Sequence, residues 1–465
     1  MTRGLHLIVT PKAVGTAWSE QISQSSWATN ELWNHQQFLA DEIRRREFLL
    51  VASGMGTGKS QAALAGLGLR DRPIATVLLT GNESNATKER RLRDVVKRAV
   101  GEFPGIVVVN YEAVYRGRLG TLISSLPWAS ITLDESHRAK APAGKASRYL
   151  ANLARKNPKA KRVCLTGTPM PKDALDVYGQ FRFLDPSILG TSFARFRSRI
   201  AKTDPRYPSR VIEWTDLKPV EDALRDHAIL ISSESVLDLP PVQHIRIEVD
   251  LSKKTRHVYE SMKKTLVAQI EAGEVTAANA AVRTGRLRQI VGGSAYIGLG
   301  NRQLIDGTPD KIKALEELLE GITRPDPLVV FCEYRADLEE VAAAARRQGR
   351  VYAEVSGSKE RGGLGLEEWQ AGEAEVLGVQ LRSGAEGIDL TRACYAAYYS
   401  VPWTVGAYEQ SIKRLVRPGQ TRSVRFYHLV ARNTIDAIVY KALRSRRSVI
   451  ESVLEGLSGE ENAYV

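Results

Sequence analysis

Phe48-Leu-Leu-Val-Ala52, running into Ser53-Gly-Met-Gly-Thr-Gly-Lys-Ser60, is the stretch that decides the fold. The five apolar residues read as a buried strand and Gln61–Leu69 as a helix, so the glycines stand at a strand-to-helix turn. Glycines at 54, 56 and 58 let backbone N–H groups turn inward around phosphate oxygens, and the helix N-terminus adds a favourable dipole. In such a loop Gly54, Met55, Gly56, Thr57 and Gly58 wrap the phosphates and Lys59 reaches the β- and γ-phosphates. The Ser60 hydroxyl is then placed to ligate Mg²⁺. Ser53 stands where the pattern usually opens with glycine, which marks a subtype of the loop.

Outward from this turn, apolar strand candidates alternate with helical stretches, the pattern of parallel α/β sheets. The first half holds Phe48–Ala52, Ala75–Thr80, Ile106–Asn110, Ile131–Leu133 and Arg162–Leu165. The second holds Leu328–Cys332, Val351–Val355, Val376–Gln380, Ala396–Ser400 and Val424–Leu429. Between the two sets, prolines at Asp204–Pro208 and Leu239–Pro241 break the chain, and a basic helical region runs from Ser252 to about Ile290. The expectation is two α/β lobes with a helical insert between them.

Ile131-Thr-Leu-Asp-Glu-Ser-His137 puts two carboxylates just past an apolar strand. A cation that bridges phosphates wants one carboxylate and the attacking water wants another. Asp134 is the metal-side candidate, Glu135 the base or water-orienting candidate, and His137 a group that could couple this site to the rest of the cleft.

Composition is permissive. The 465 residues, 43% apolar and 26% charged, are ordinary for a folded chain and exclude a disordered or fibrous one. At about 100–200 residues per domain, two or three domains are expected. No apolar run is long enough for a membrane span, and Met1–Ile22 lacks the pattern of a secretory leader. Cys164, Cys332 and Cys394 are too few and scattered for a disulfide framework or zinc site, and the seven histidines show no metal-ligand spacing. The net charge of +13 fits a polyanionic partner.

With the phosphate loop and acidic pair in hand, the chain resembles the superfamily 2 helicase-like ATPases of the DEAD/DEAH-box type. Within them it is similar to the Swi/Snf-related group found in minimal form in bacteriophages. Trp33-Asn-His-Gln36 resembles the adenine-reading motif, with Gln36 as the reader, and Asn110-Tyr-Glu112 a short motif before the acidic box. Leu165-Thr-Gly-Thr-Pro-Met170 resembles the motif that couples hydrolysis to lobe movement, which implies coupling roles for Thr166, Gly167 and Thr168. Ser383-Gly-Ala-Glu-Gly-Ile-Asp-Leu390 resembles the second-lobe motif that meets both ligands. It implies Ser383 and Gly384 at nucleic acid and Gly387 and Asp389 at ATP, with Ala385 where glycine is common. Gln410-Ser-Ile-Lys-Arg-Leu-Val-Arg-Pro-Gly-Gln420 resembles the arginine-finger motif, which implies a coupling role for Gln410 and places Arg414 and Arg417 toward the γ-phosphate. Guanidiniums suit that task because they form paired hydrogen bonds to phosphate.

One motif is out of order. The family has Thr/Cys-Pro-Lys and a helical Trp between the phosphate loop and the acidic box, where this chain has Gly81-Asn-Glu-Ser-Asn-Ala-Thr-Lys88. The missing form stands ahead of the phosphate loop, in Leu7-Ile-Val-Thr-Pro-Lys-Ala-Val-Gly-Thr-Ala-Trp18. A local permutation is expected, in which the N-terminal strand and helix fill the gap in the first sheet and Thr10, Pro11 and Lys12 contact nucleic-acid phosphates.

The resemblance implies two RecA-like lobes joined by a Swi/Snf-type insertion, divided as follows: 1–29 the displaced strand and helix, 30–197 the ATP-binding lobe, 198–300 the helical insertion, and 301–465 the C-terminal lobe. Arg283, Arg286 and Arg288, with Lys253, Lys254, Arg256, Lys263 and Lys264, make the insertion basic, either as a duplex-backbone contact or as a solvated face. The implied activity is ATP- and Mg²⁺-dependent translocation along DNA, duplex or forked, in phage replication or recombination. DNA is expected rather than RNA, with a monomer working in the host cytoplasm beside replication or recombination proteins and away from membranes. A strand-separating helicase on single-stranded DNA or RNA is the alternative enzyme. A nucleic-acid-binding accessory protein with a decayed ATPase is the alternative of another class.

Overall fold

The computed structural model describes residues 4–11, 18, 22, 31–54, 56–70, 74–80, 83–99, 104–171, 173–205, 211–271, 285–297, 301–356, 365–381, 388–402, 405–441 and 443. The chain divides into two compact units between Asp238 and Leu239.

The first unit is built on β1 (Leu5–Thr10), β2 (Phe48–Ser53), β3 (Ala75–Leu79), β4 (Gly105–Asn110), β5 (Trp128–Asp134) and β6 (Lys161–Thr166). A small antiparallel hairpin, β7 (Ala201–Thr203) and β8 (Val211–Trp214), and a last strand, β9 (Ala228–Ile231), follow. The seven-stranded sheet runs β3-β4-β1-β5-β6-β2-β9, with every pairing parallel. Strands covered on both faces read as continuous apolar runs. In β1, Leu5, Leu7 and Val9 enter one core cluster while Ile8 enters the other, and Val107 and Val109 of β4 oppose Ile106 and Val108 in the same way. The period of two thus divides each strand between two helical layers.

β1 lies inside this sheet, paired with β4 on one side and β5 on the other. The N-terminal strand therefore fills a central position that the later sequence leaves open. Its polar residue, His6, is buried and its Nδ1 lies 2.7 Å from Ser130 Oγ on β5.

The second unit carries β10 (Val242–Val249), the hairpin β11 (Ser294–Ile297) and β12 (Asn301–Leu304), then β13 (Leu328–Cys332), β14 (Tyr352–Val355), β15 (Val376–Gln380), β16 (Tyr395–Tyr398) and β17 (Val424–Ala431). Its six-stranded parallel sheet runs β10-β17-β16-β13-β15-β14. The fold class is thus two parallel α/β sheets. The stretch 198–300, expected as a helical insertion, gives one edge strand to each sheet, β9 to the first and β10 to the second. Its helical part includes Lys253–Glu271. On that helix Lys253, Lys254, Lys263 and Lys264 are exposed, whereas Arg288, expected on a basic face, is buried. Arg288 Nη2 donates to the Val401 carbonyl and its guanidinium lies over the Tyr334 ring, so its charge serves the fold. Among the described residues no helix is long and apolar enough to cross a membrane.

Candidate nucleotide site

Four neighbouring strands of the first sheet, β1, β5, β6 and β2, bring their C-terminal ends together, which is where parallel α/β sheets hold ligands. β2 delivers the glycine loop and the helix Lys59–Gly66. Gly58 sits at φ +75°, and a Cβ there would run into the Gln36 amide, so only glycine closes this turn. The loop is held from within: Ser53 Oγ donates to Thr57 Oγ1 (2.7 Å) and Thr57 Oγ1 to the Gly54 carbonyl (2.8 Å). Lys59 is buried, with Nζ donating to the carbonyls of Ser53 (2.7 Å) and Gly54 (2.9 Å). Ser60 follows in the first helical turn, half-buried.

Gln36, expected to read adenine, is buried against this loop. Its Nε2 donates to the Thr57 carbonyl (3.1 Å) and its Oε1 accepts the Trp33 N–H (3.1 Å). Beside it, His35 Nε2 lies 2.8 Å from the same Thr57 carbonyl. The glutamine braces the phosphate loop from the preceding helix, a contact its spacing in the sequence does not disclose.

β5 delivers the acidic pair. Asp134 is 4% exposed, and three donors reach its carboxylate. Trp18 Nε1 (2.8 Å) and Thr10 Oγ1 (3.1 Å) donate to Oδ2, and the Glu135 backbone N–H (3.1 Å) donates to Oδ1. Burial, and then the neighbouring Glu135 charge, push Asp134 up to about 6; the Trp18 indole, the Lys59 ammonium and the Thr10 hydroxyl act in the opposite sense. Tyr111, from the short motif after β4, donates its hydroxyl to the Asp134 carbonyl (2.9 Å).

Glu135 holds a left-handed backbone at φ 49°, a conformation that costs a non-glycine residue about 1 kcal/mol or more. The turn aims successive residues apart. His137 Nδ1 lies 3.3 Å from Glu135 Oε2 and 3.2 Å from Thr166 Oγ1, and Thr166 Oγ1 in turn accepts the Thr168 N–H (3.1 Å). Thus the acidic box and the motif after β6, with Gly167 at its turn, form one polar chain. Gln180, which the sequence did not single out, closes its far side: Oε1 accepts from Ser136 Oγ (2.7 Å) and Nε2 donates to the Pro169 carbonyl (2.7 Å). A glutamine inside an apolar helix, Val177–Leu184, was the one signal available for it.

Thr10 and Pro11 are the two described residues of the Thr-Pro-Lys stretch expected at nucleic-acid phosphates. Both are buried, and the Thr10 hydroxyl donates to Asp134 Oδ2. In the second unit, Asp389 Oδ1 accepts the Thr391 N–H (2.9 Å) and hydroxyl (2.7 Å), and its Oδ2 lies 3.7 Å from Arg417 Nη1. Arg414 is buried on the helix Val405–Leu415, where Gln410 is half-buried, and its carbonyl accepts the Leu390 N–H (3.1 Å). Gln420 Nε2 ties the end of the same motif to the carbonyls of Thr391 and Ala393. The two second-lobe motifs are therefore one bonded unit. Lys12, Met55, Ser383, Gly384 and Gly387 lie outside the described residues.

A glycine loop on one strand, an acidic pair two strands away and a second parallel sheet downstream define a phosphate-loop nucleotide hydrolase of the helicase kind. Residues 3–292 match the SNF2-related domain, and residues 310–419 match the helicase conserved C-terminal domain. The chain belongs to the SNF2-related family and is an ATPase of helicase superfamily 2. It is 27% identical over 448 residues to protein p41 of Acyrthosiphon pisum secondary endosymbiont phage 1, covering 88% of this chain and 94% of p41. It is 24% identical to the DNA annealing helicase and endonuclease ZRANB3 of Bos taurus over 70% of this chain, and 23% identical to the ATP-dependent helicase YqhH of Bacillus subtilis over 77%. It spans 30% of ZRANB3 and 65% of YqhH. A SWI2/SNF2 ATPase core of Sulfolobus solfataricus, solved in complex with dsDNA, aligns over 93% of this chain and 94% of its own, at 19% identity and TM-score 0.38.

Proposed function

We propose that this chain is a motor that hydrolyses ATP to move along duplex or forked DNA. The observation that carries the reading is the polar chain from Asp134 and Glu135 through His137 to Thr166 and Thr168, beside the loop that holds Lys59. A site for hydrolysis alone needs the loop and the acidic pair. A histidine linking the pair to a loop on the next strand gives hydrolysis a mechanical outlet.

In this reading Gly54 to Ser60 wrap the triphosphate, Lys59 neutralises it, and Glu135 orients the attacking water. Asp134 and Ser60 fit Mg²⁺. Among the described residues no three His, Cys, Asp or Glu side chains gather as a protein-only cage, and Mg²⁺ in nucleotide sites takes one or two protein oxygens plus phosphate and water. Bound there, the ion would neutralise charge on the β- and γ-phosphate oxygens. Arg414 and Arg417 are assigned to the γ-phosphate, and Asp389 to ATP, on the family's order of motifs.

DNA is favoured over RNA by the SNF2-related family itself and by ZRANB3, a relative named for annealing DNA. The phage origin of p41 supports a setting in phage replication or recombination. The net charge of +13 implies contacts mostly to phosphates, which are salt-sensitive and weakly sequence-specific. The test is ATP hydrolysis by the full chain with single-stranded, duplex and forked DNA and with RNA. Stimulation by duplex or forked DNA and not by RNA is expected. Stimulation by RNA alone, or hydrolysis that survives Lys59→Ala, overturns the reading.

A further inference from the structure

The acidic box of the first unit is served by residues that precede the phosphate loop in the chain. Thr10 ends β1, whose Val9 pairs with Leu133 of β5, so the parallel register sets its hydroxyl beside the next residue, Asp134. Trp18 follows within the N-terminal segment. Its ring belongs to the buried apolar cluster that also holds Ile8, Leu39, Ile43 and Leu49, while its indole N–H donates to Asp134 Oδ2. Both side chains are buried, Trp18 at 1% exposure and Thr10 at 0%.

A carboxylate oxygen offers about two lone-pair sites. Oδ2 already accepts two donors, Trp18 and Thr10. Among the described residues Oδ1 accepts one, the Glu135 N–H. The indole and the hydroxyl together fix the plane of the carboxylate, and Oδ1 is the oxygen with capacity left. We infer that Trp18 and Thr10 are positioning residues for Asp134: they hold Oδ2 and thereby present Oδ1 to the cation that accompanies the nucleotide. The inference rests on the reading of Asp134 as the cation-side carboxylate. It gives the displaced N-terminal segment a definite role in the ATP site, beyond filling the first sheet.

Partners of this kind typically change metal affinity 10–100-fold when removed. The experiment therefore reads metal binding directly. The full chain is titrated with Mg²⁺ in the presence of fluorescent N-methylanthraniloyl-ATP, and Mn²⁺ occupancy with ATP is followed by electron paramagnetic resonance. Trp18→Phe keeps an aromatic ring in the apolar cluster and removes the donor; Thr10→Val keeps the shape and removes the hydroxyl; Thr10→Ser retains it. Trp18→Phe and Thr10→Val are expected to raise the Mg²⁺ and Mn²⁺ concentrations needed by about tenfold or more. Metal-free nucleotide affinity should stay within about twofold, a readout that loss of packing would move, and Thr10→Ser should titrate like the parent. Asp134→Asn separates the two levels of the argument. If Asp134→Asn weakens metal binding while Trp18→Phe and Thr10→Val titrate like the parent, the positioning role is wrong and the reading of Asp134 stands. If Asp134→Asn also titrates like the parent, that reading is wrong and the inference falls with it. Should Trp18→Phe fail to fold, the Thr10→Val and Thr10→Ser pair decides.

Discussion

Asp134 in the first unit and Asp337 in the second meet the same physical problem in different surroundings. Each is buried, and burial pushes each up to about 6. At Asp337 fixed donors and cations of the fold offset part of the burial cost. Its Oδ2 accepts the Ser400 hydroxyl (2.7 Å) and the Tyr334 N–H (3.4 Å), and the Lys311 and Arg288 charges act on it. It also stands in the first turn of the helix Arg335–Arg347, where the peptide dipoles favour a negative charge. At Asp134 the second-largest influence is another acid, Glu135, in a left-handed turn at the head of a chain of polar groups. A raised carboxyl is therefore a poor marker of a site by itself. The informative feature is like charge gathered beside a phosphate-binding loop.

The sharpest way to break the contrast is to neutralise residues in turn and measure DNA-stimulated ATP hydrolysis. Lys59→Ala and Glu135→Gln are expected to lower kcat by about 100-fold or more, the scale of losing a phosphate-stabilising charge or a general base. Asp337→Asn should leave kcat within about threefold. An Asp337→Asn protein that is folded yet inactive would place the second aspartate in the chemistry. The next effect in size concerns the link from Glu135 to Thr166. His137→Ala is expected to reduce the stimulation by duplex DNA about tenfold while hydrolysis without DNA changes less, since the imidazole sits between the acid and the Thr166 loop. Equal losses with and without DNA would make His137 a part of the hydrolytic step.

Stability against pH tests what the two aspartates share. A carboxyl whose folded value is raised binds its proton more tightly in the native state. The stability this lends is fully present below about pH 4 and is lost as pH rises through about 6. Both side chains therefore oppose folding at neutral pH, and an asparagine removes that opposition. Relative to the parent, Asp134→Asn and Asp337→Asn should gain stability between pH 4 and 7 in metal-free buffer. The gain is on the order of 3 kcal/mol at most for each, from a rise of roughly two pH units. Denaturant unfolding at the two pH values reads it, and the difference between them cancels the pH-independent cost of the substitution. A flat profile for either variant would show that its carboxyl is not raised in the folded protein.

How far the sequence carries depends on what surrounds each residue. The phosphate loop, the acidic pair and ten of the thirteen sheet strands were legible because a strand covered on both faces must be a run of apolar residues, and β1 was legible through the displaced motif. β9 and β10 were not, and both lie at sheet edges with one partner strand each. β10 reads Val-Gln-His-Ile-Arg-Ile-Glu-Val, half-polar because most of its side chains are exposed or only partly buried, and β9 has only four residues. Side-chain direction was the other blind spot. Gln36 donates to a loop carbonyl, Thr10 to a carboxylate and Arg288 to a backbone carbonyl, contacts that spacing along the chain does not disclose. Trp18 was visible as part of the displaced motif, but only the folded register brings its indole to Asp134.

The smallest expected effect returns to the second unit. Asp389 matches a family ATP-site position, while in this structure its visible work is local: it accepts twice from Thr391 and stands 3.7 Å from Arg417 with both side chains partly exposed. An exposed pair of this kind contributes about 0.2–1 kcal/mol, so its loss can misplace Arg417 by at most about fivefold in kcat. Asp389→Asn keeps an oxygen for the Thr391 donors and removes only the charge, so unfolding should move by less than about 1 kcal/mol. If kcat falls two- to fivefold with KM unchanged, Asp389 acts through Arg417. A loss of 100-fold would mean that Asp389 touches the nucleotide itself and not only its neighbours Thr391 and Arg417.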